Sequence, residues 1–329
     1  LFVDTDQTDE TEFPVLLMDW VEGKPMDKYL RENLDNKYAL EMLAYRFSQL
    51  AQWLIPQPFA HGDLKPDSIL VREDGTLVLV DYDGMYVPAM NGQKARELGS
   101  PDFRHPLRTE DDFDEHIDDF PLISILLSLK SISVSPQLFV KYGANDRLLL
   151  SEVDYYNINK CDVIKCIFPS EDNELNRICS TFILILSSYR IVTLPPNLYS
   201  CHISLECIKH LFELGEKYKN GVNAEQDGNL SVRYYRIAAE LGFTRAQYKL
   251  GLCYRDGFGV DIDINSALLW FEKAAKQGDI NAKYNIGCLY NWTNNPLEIS
   301  AFLKSIRIEI FLVASLINVL WSNTFVLSF

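Results

Sequence analysis

Two aspartates and a lysine stand at a spacing that suits the chemistry of a magnesium nucleotide. Asp63 and Asp81 lie 18 residues apart, and Lys65 follows the first of them by two residues. One carboxylate can accept or orient the proton of an incoming hydroxyl, while the other holds the metal ion that bridges the phosphates. A lysine beside them can neutralise charge on a phosphoryl group in transfer. These three residues are the candidates for chemistry in the sequence.

The elements around these residues predict that their side chains meet. Ile69–Val71 and Leu77–Val80 are short apolar runs joined by an Asp-Gly step at 74–75, which is typical of a β-hairpin. Because a hairpin returns the chain to its starting edge, we expect Asp63 and Asp81 to converge at one mouth.

Longer segments supply the body that holds the hairpin. Phe13–Val21 is typical of a buried strand, and Tyr38–Ile55 has the apolar spacing of an amphipathic helix. Asp118–Ser133 is apolar on nearly every side, which predicts a helix in the centre of a core. Met85–Thr109 has no period, so we expect a long ordered loop. The acid-rich run Glu110–Asp119 is expected to be solvated, with attraction of a basic substrate as the alternative.

The order of these motifs resembles the C-terminal lobe of protein kinases. His61–Leu70 (HGDLKPDSIL) is similar to the kinase catalytic loop, and Asp81–Gly84 (DYDG) to the metal-binding motif. Leu16–Gly23 resembles the last strand of the N-terminal lobe with the hinge, and Gly99–Pro106 the end of the activation segment. Asp118 matches the buried aspartate that braces the backbone of the catalytic loop. The resemblance implies an α+β kinase-like lobe that is mainly helical.

The resemblance also implies a role for each matching residue. Asp63 takes the role of catalytic base, and Lys65 contacts the γ-phosphate of ATP. Asp81 is implied as the main Mg²⁺ ligand, with Ser68 at the position of the second-metal ligand. Asp83 is either a further metal ligand or a simple turn residue. The implied cofactors are therefore ATP and Mg²⁺.

Other matching residues concern the adenine base and the histidine of the loop. Leu70 matches the floor under the adenine, while Asp19 and Val21 match the hinge residues whose backbone bonds the base. His61 matches a histidine that packs in kinases, so we expect it in the core and not as a general base.

Departures from the kinase pattern bear on activity. Gly62 replaces the arginine that pairs with a phosphorylated activation loop, so we do not expect that phosphorylation to be a switch. Ser68 replaces an asparagine, and a hydroxyl is a poorer fixed metal donor than an amide carbonyl. No glycine-rich loop occurs before the hinge and no lysine precedes Lys24. We expect a kinase-like domain truncated before the hinge, with poor ATP affinity and no activity by itself, since transfer depends on positioning.

From residue 206 onward a pattern repeats every 36 residues. The interval recurs at Leu214-Gly215, Leu250-Gly251 and Ile286-Gly287, at Tyr218, Tyr254 and Tyr290, and at the alanine pairs 238–239 and 274–275. This period predicts a helix-turn-helix solenoid. Gly242 and Gly278 are expected just beyond helix ends, with positive φ. Cys253 and Cys288 are expected to pack inside at repeat positions.

The repeats resemble Sel1-like repeats, which are relatives of the tetratricopeptide family. Ala246–Gly278 matches a full unit, Leu211–Gly242 a looser one, and Ala282–Tyr290 begins a third. The resemblance implies an all-α adaptor surface for protein partners. The expected domains are 1–205 (kinase-like), 206–291 (repeats) and 292–329 (an apolar tail).

The tail ends in Ile310–Phe329, a stretch of 20 residues without charge that has the length of a bilayer span. Lys304 and Arg307 flank it on one side, as beside a tail anchor. The alternatives are a helix that closes the open end of the repeats and a product of a broken reading frame. Asn318 and Asn323 are among the polar residues that disfavour a membrane segment, so we expect no span.

The net charge and the cysteine content limit which partners and which cellular compartment we expect for this protein. The net charge of −15 lies wholly in 1–205, which holds 18 basic and 33 acidic residues, whereas 206–329 holds 13 of each. An acidic surface repels phosphate backbones, so we expect no nucleic-acid partner. The seven cysteines contain no CxxC pair, which favours buried reduced thiols in a cytoplasmic protein.

The sequence leaves two functions open. The first is a bacterial-type Ser/Thr protein-kinase-like phosphotransferase, active in the full-length protein and joined to adaptor repeats. The second is a pseudokinase scaffold without catalysis, whose repeats recruit partners; Gly62 and Ser68 favour it.

Overall fold

The computed structural model describes residues 21–144, 147–188, 195–222 and 225–292. The chain divides into two compact units, Leu1–Cys201 and His202–Phe329. The predicted strand Phe13–Val21 lies outside the described residues except for Val21, and so does the tail from residue 293 onward.

A three-stranded antiparallel sheet in the first unit carries the predicted hairpin. β1 (Lys24–Pro25) pairs with β2 (Ile69–Val71), which pairs with β3 (Leu77–Leu79). Gly75 in the turn between β2 and β3 has φ = +76°, a conformation that glycine adopts without a steric penalty. The hairpin is confirmed, and its second strand ends one residue earlier than predicted.

Helices form the body of the first unit. Its α-helices in the described ranges are α1 (Met26–Glu32), α2 (Lys37–Leu54), α3 (Asp119–Val134), α4 (Gln137–Tyr142), α5 (Glu152–Tyr156), α6 (Asp162–Ile167) and α7 (Asn173–Ser187). Asn36 caps α2, because its side chain accepts a hydrogen bond from Ala39 N at 3.2 Å. α3 packs against α2 and α7 and is buried on nearly all sides, which confirms the predicted central helix.

Five α-helices form the described part of the second unit: α8 (Leu205–Asn220), α9 (Gly228–Glu240), α10 (Thr244–Asp256), α11 (Ile264–Lys276) and α12 (Ile280–Trp292). Consecutive helices pack against each other. A Cβ atom built on Gly215 would lie 2.6 Å from the ring of Tyr235, and one on Gly251 would lie 2.6 Å from that of Phe271. The repeated glycine is therefore the position where an aromatic ring of the next helix packs on the backbone.

The ends of the repeat helices follow the sequence pattern. Gly242 and Gly278 follow α9 and α11 with φ values of +88° and +94°, as predicted. Their lack of a Cβ atom allows the left-handed conformation that ends a helix.

The prediction of buried cysteines is wrong for Cys166 and Cys288, which are exposed, and right for the other five, including Cys253. The error at Cys288 has a simple cause: it follows Cys253 by 35 residues, one short of the repeat. The position 36 residues after Cys253 is Leu289, which is 3% exposed and takes the buried place.

Within the described ranges, no helix is both long and apolar enough to cross a membrane. The longest, α2, has 18 residues but includes Lys37, Glu41 and Arg46. The candidate segment Ile310–Phe329 lies outside the described residues.

Candidate active site

The backbone at the start of the catalytic loop is held by one buried carboxylate. The backbone N–H of His61 donates to Asp118 Oδ2, and that of Gly62 donates to Asp118 Oδ1 at 3.0 Å. Asp118 immediately precedes α3 and is 3% exposed. The predicted bracing role of Asp118 is therefore confirmed.

Gly62 lies in direct backbone contact with the DYDG turn. Its φ is +87°, and a Cβ atom at this position would lie 1.8 Å from the carbonyl oxygen of Gly84. No side chain fits there without a shift of the backbone. The replacement of the kinase arginine by glycine thus lets the catalytic loop and the turn after β3 touch.

Asp63 is held by two donors. Lys65 Nζ donates to its Oδ2 at 2.7 Å, and Ser100 N donates to its Oδ1 at 2.8 Å. Burial raises the pKa of this carboxyl, but the hydrogen bonds from Lys65 and Ser100 outweigh it and hold the pKa below its usual range. Asp63 is therefore ionised at neutral pH, and each oxygen keeps a lone pair for a further donor.

Lys65 lies on the same side of the loop as Asp63, to which it is hydrogen-bonded. Its side chain is a quarter exposed. Its hydrogen bond to Asp63 raises the pKa of its ammonium group, with further contributions from Asp81 and Asp67. Lys65 thus stays charged, paired with Asp63 and within the electrostatic influence of Asp81.

Ser68 is turned into the loop. Its hydroxyl accepts from Lys65 N at 3.0 Å and lies 2.9 Å from the carbonyl oxygen of Lys65 and 3.3 Å from that of Asp63. The residue is 1% exposed. Its hydroxyl therefore stabilises the short 3₁₀ turn Pro66–Ser68, and the side chain faces the protein interior rather than solvent.

Asp81 has φ = +67°, the only positive φ of a non-glycine residue in the described part of the chain. Such a conformation costs about 1–3 kcal/mol and is concentrated at functional sites. The residue follows β3 closely and is exposed. Asp83 is also exposed, in a turn closed by a hydrogen bond from Met85 N to Tyr82 O. Both carboxylates are open to a cation, and only Asp81 is held in a strained conformation.

Of the predicted adenine-site residues, the structure brings Leu70 next to the hinge segment. Leu70 pairs with Pro25, and a Cβ atom on Gly23 would lie 2.9 Å from Leu70 Cβ. Val21 is half-buried two residues before Gly23. Asp19 lies outside the described residues.

His61 packs in the core, as expected. Its Nε2 lies 2.8 Å from Val80 O and must carry the proton, because a carbonyl oxygen only accepts. The ring is 2% exposed and its centroid lies 5.3 Å from that of Tyr82. His61 ties the catalytic loop to the end of the hairpin.

Comparisons with known proteins agree with both halves of this description. The model of the ABC1 atypical kinase-like domain matches residues 6–97, which include the catalytic loop and Asp81. The Sel1 repeat model matches residues 211–243 and 244–279. The chain carries a kinase-like region followed by Sel1 repeats.

Individual relatives cover smaller shares. The chain is 26% identical over 99 residues to the serine/threonine-protein kinase WAG2 of Arabidopsis thaliana. The match covers 28% of this chain and 21% of that protein. The chain thus spans about a fifth of the length of this curated relative.

Two crystal structures are similar in part. A Sel1 repeat protein from Oxalobacter formigenes matches at 33% identity over 25% of this chain and 34% of that chain, with a TM-score of 0.25. The protective antigen c5321 of uropathogenic Escherichia coli, which displays an SLR fold, matches at 16% identity over 59% of this chain and 34% of that chain, with a TM-score of 0.30.

The run Glu110–Asp119 of the kinase-like region is not simply solvated, contrary to expectation. Ile117 is 2% exposed in a cluster with Tyr86 and Ala60, and the ring of Phe113 packs edge-on against Tyr86 with centroids 5.2 Å apart. The apolar members of the run pack against the loop that follows DYDG. Of its acids, only Glu110 and Asp111 are exposed, and the others are half-buried or buried.

Sequence reasoning missed two contributors to the site, Ser100 and Arg108. Ser100 donates its backbone N–H to Asp63, and Arg108 Nη1 donates to Gly62 O at 3.1 Å. Ser100 lies within Gly99–Pro106, whose resemblance to the end of an activation segment was the available signal. No sequence signal marked Arg108.

Asp119 gives the kinase-like region a testable pH dependence. It is 1% exposed, its Oδ2 accepts no hydrogen bond from the described residues, and His116 Nδ1 lies 3.6 Å away. Burial, together with the charges of Asp118 and Asp114, raises its pKa to about 8. The folded state therefore binds a proton that the unfolded state releases near pH 4, and this stabilisation is lost as pH rises from about 4 to about 8.

We expect Asp119→Asn, which resembles the protonated form, to raise the free energy of unfolding more at pH 9 than at pH 5. Urea unfolding at the two pH values measures the difference. Asp111→Asn is the control, because Asp111 is exposed beside Lys94 and its replacement should have a small effect at both pH values. Equal effects of Asp119→Asn at both pH values would contradict the raised pKa.

Proposed function

We propose that the kinase-like region transfers the γ-phosphoryl group of ATP to serine or threonine hydroxyls of proteins, with Mg²⁺ as cofactor. The observation that supports this best is the ionised Asp63 paired at 2.7 Å with Lys65, whose charge also interacts with Asp81. The similarity to a serine/threonine-protein kinase supports the choice of acceptor.

In the proposed step, Asp63 orients the substrate hydroxyl and accepts its proton. The hydroxyl oxygen forms a bond to the γ-phosphorus, the bond to the β,γ-bridging oxygen breaks, and ADP leaves with that electron pair. Lys65 offsets the negative charge on the oxygens of the transferring group. Because Asp63 has a low pKa, its main contribution before the transition state is orientation.

The residues after β3 fit Mg²⁺, a hard cation that prefers carboxylate oxygens. When bound, the ion neutralises charge on the phosphates. Asp81 is the proposed main ligand, since it is exposed and held in a strained conformation, and Asp83 is the proposed auxiliary. Among the described residues, no three or more His, Cys, Asp or Glu side chains gather as a metal-binding cluster.

The adenine is proposed to lie on Leu70, with hinge backbone bonds from Asp19 and Val21. The contact between Leu70 and Gly23 supports this placement, because it puts the hinge segment beside the predicted floor. We propose that the transfer needs a lobe over the nucleotide, as positioning dominates phosphoryl transfer. Activity is therefore to be measured on the natural full-length protein.

One observation favours a second function, a pseudokinase scaffold. Ser68 stands where a second-metal ligand is implied, yet its hydroxyl bonds the backbone of its own loop and is buried. Loss of that ligand weakens the hold on the phosphates. In this alternative the kinase-like region supports the repeats without catalysis.

For the repeats we propose protein partners, in line with the general role of Sel1 repeats. The equal numbers of basic and acidic residues in 206–329 fit a surface that binds proteins rather than the phosphate backbone of a nucleic acid. A cytoplasmic location is proposed because every cysteine in the described ranges is a free thiol.

Asp81→Asn tests the metal assignment. Asparagine tolerates positive φ, so the fold should persist, while the amide is a much weaker Mg²⁺ ligand. We expect the Mg²⁺-dependent part of ATP affinity to fall by at least about tenfold, measured by calorimetry with Mg²⁺ and with EDTA.

Asp83→Asn is the matched control for that experiment, since it removes an exposed carboxylate two residues further on. We expect a smaller loss of affinity. A larger loss of affinity with Asp83→Asn than with Asp81→Asn would reverse the two roles, and an equal loss would contradict the assignment of Asp81 as the main ligand. Equal ATP affinity with Mg²⁺ and with EDTA in the unaltered protein would favour the scaffold.

A further inference from the structure

We propose that Arg108 is a positioning residue that fixes the catalytic loop, in place of the arginine that the loop itself lacks at Gly62. Its expected effect on catalysis rests on the proposed phosphotransferase function. Its effect on the loop does not.

The first observation is the contact itself. Arg108 Nη1 donates to the carbonyl oxygen of Gly62 at 3.1 Å, although 46 residues separate the two. The N–H of Gly62 donates to Asp118 and its Cα faces Gly84. Gly62 is thus held on three sides, by a carboxylate, a guanidinium and a glycine backbone, and the next residue is Asp63.

The second observation is the burial of the guanidinium. Arg108 is 9% exposed, and its Nε and Nη2 are buried without a hydrogen-bond partner among the described residues. A buried charge with unmet donors is costly and is retained where its position matters. A surface-anchoring role would not need this arrangement.

The third observation is the distribution of charge. Burial lowers the pKa of Arg108, while Asp118 is the largest opposing influence and Asp63 also contributes. Arginine remains protonated in proteins, so Arg108 supplies a fixed positive charge behind the loop. This positive charge lies opposite the buried carboxyl group of Asp118, which accepts hydrogen bonds from the backbone N–H groups of His61 and Gly62.

The position of Arg108 is also fixed by its own segment. Its backbone N–H donates to the carbonyl oxygen of His105 at 3.0 Å, which closes a turn that begins within Gly99–Pro106. In the same segment Ser100 binds Asp63. One stretch of chain therefore contacts both the carbonyl before the candidate base and its carboxylate.

Amide hydrogen exchange on the full chain tests the positioning role without requiring activity. We expect Arg108→Met to speed exchange of the amides of His61 and Gly62 by at least about tenfold, as a hydrogen bond from a charged group is lost. Arg108→Lys, which keeps the charge without the planar fork, should give a smaller increase. Arg72→Met, at an exposed position in the hairpin turn, should leave the loop unchanged.

Activity on the natural full-length protein supplies the second measurement. We expect Arg108→Met to lower kcat for phosphate transfer at least about tenfold with little change in KM for ATP, and Arg108→Lys to recover part of it. Faster loop exchange in Arg108→Met with no transfer by the unaltered protein would overturn the proposed function and leave the positioning role standing. Unchanged exchange in both Arg108 variants, or full kcat in Arg108→Met, would overturn the positioning role. If Arg108→Met does not fold, loop exchange and kcat of Arg108→Lys are compared with those of the unaltered protein, and unchanged values in Arg108→Lys overturn the positioning role.

Discussion

Asp63→Asn is expected to reduce phosphate transfer by the natural full-length protein by about 10²–10⁴-fold, the usual contribution of a positioned proton acceptor. The amide keeps the shape of the side chain, and its oxygen can still accept the hydrogen bond from Ser100 N. What is lost is the negative charge that pairs with Lys65 and the acceptor for the hydroxyl proton. Transfer of the γ-phosphate to protein, followed with labelled ATP, measures the change.

Asp261→Asn is the control for this experiment, because Asp261 is exposed in a loop of the repeats and its replacement removes the same charge from the same chain. Affinity for Mg²⁺·ATP should stay within about twofold in Asp63→Asn, since the metal is assigned to Asp81. Transfer that survives in Asp63→Asn contradicts the assignment of the base. No transfer by the unaltered protein, with ATP bound, supports the scaffold.

Local sequence patterns were sufficient for the hairpin, the central helix α3 and the repeats, but not for α4 to α7. The hairpin follows from an Asp-Gly step between two apolar runs, and both are short-range features. The repeats follow from a fixed interval, because each unit packs on its neighbour in the same way: Gly251 faces Phe271 as Gly215 faces Tyr235. Cys288 shows the limit, since a shift of one residue on a helix turns a side chain from the interior to the surface.

The candidate site was foreseen only where a motif spans it. The pairing of Asp63 with Lys65 lies within one loop, and the sequence suggested it. The contact of Arg108 with Gly62 and that of Ser100 with Asp63 join distant parts of the chain, and their geometry depends on how the loop after DYDG folds back. Contacts between distant residues, among them the packing of Phe113 on Tyr86, hold that loop, so a periodic pattern could not reveal its path.

Burial of Asp119 was hidden for a related reason. It stands at the end of an acid-rich run that composition alone assigns to solvent, but it begins the central apolar helix α3, whereas burial of its neighbour Asp118 was expected from the kinase resemblance. Asp118 satisfies its charge with two backbone amides and a nearby arginine, whereas Asp119 lacks such donors among the described residues. Burial raises the pKa of both carboxyls, but only Asp118 also braces the catalytic loop, through its two hydrogen bonds.

Gly62→Ala is expected to lower the free energy of unfolding of the first unit by about 3–5 kcal/mol, from backbone strain and overpacking together. At φ = +87° alanine pays the left-handed penalty, and its methyl group would lie 1.8 Å from Gly84 O, so the loop and the DYDG turn must separate. Gly92→Ala is the matched control in the same unit: its φ is +81°, and an added Cβ meets nothing within 4 Å. It isolates the strain, which should cost about 1–2 kcal/mol.

Urea unfolding followed by hydrogen exchange in α2 and α3 measures the first unit separately from the repeats. The difference between the two variants is the energetic value of the approach between Gly62 and Gly84, since both share the backbone penalty. We further expect Gly62→Ala to abolish Mg²⁺·ATP binding even where the unit stays folded, because moving the turn displaces Asp81, the proposed metal ligand. If both substitutions lower the free energy of unfolding equally, the catalytic loop and the DYDG turn can separate to admit the added methyl group without a further energetic cost. The glycine at position 62 would then owe its presence to its backbone conformation alone.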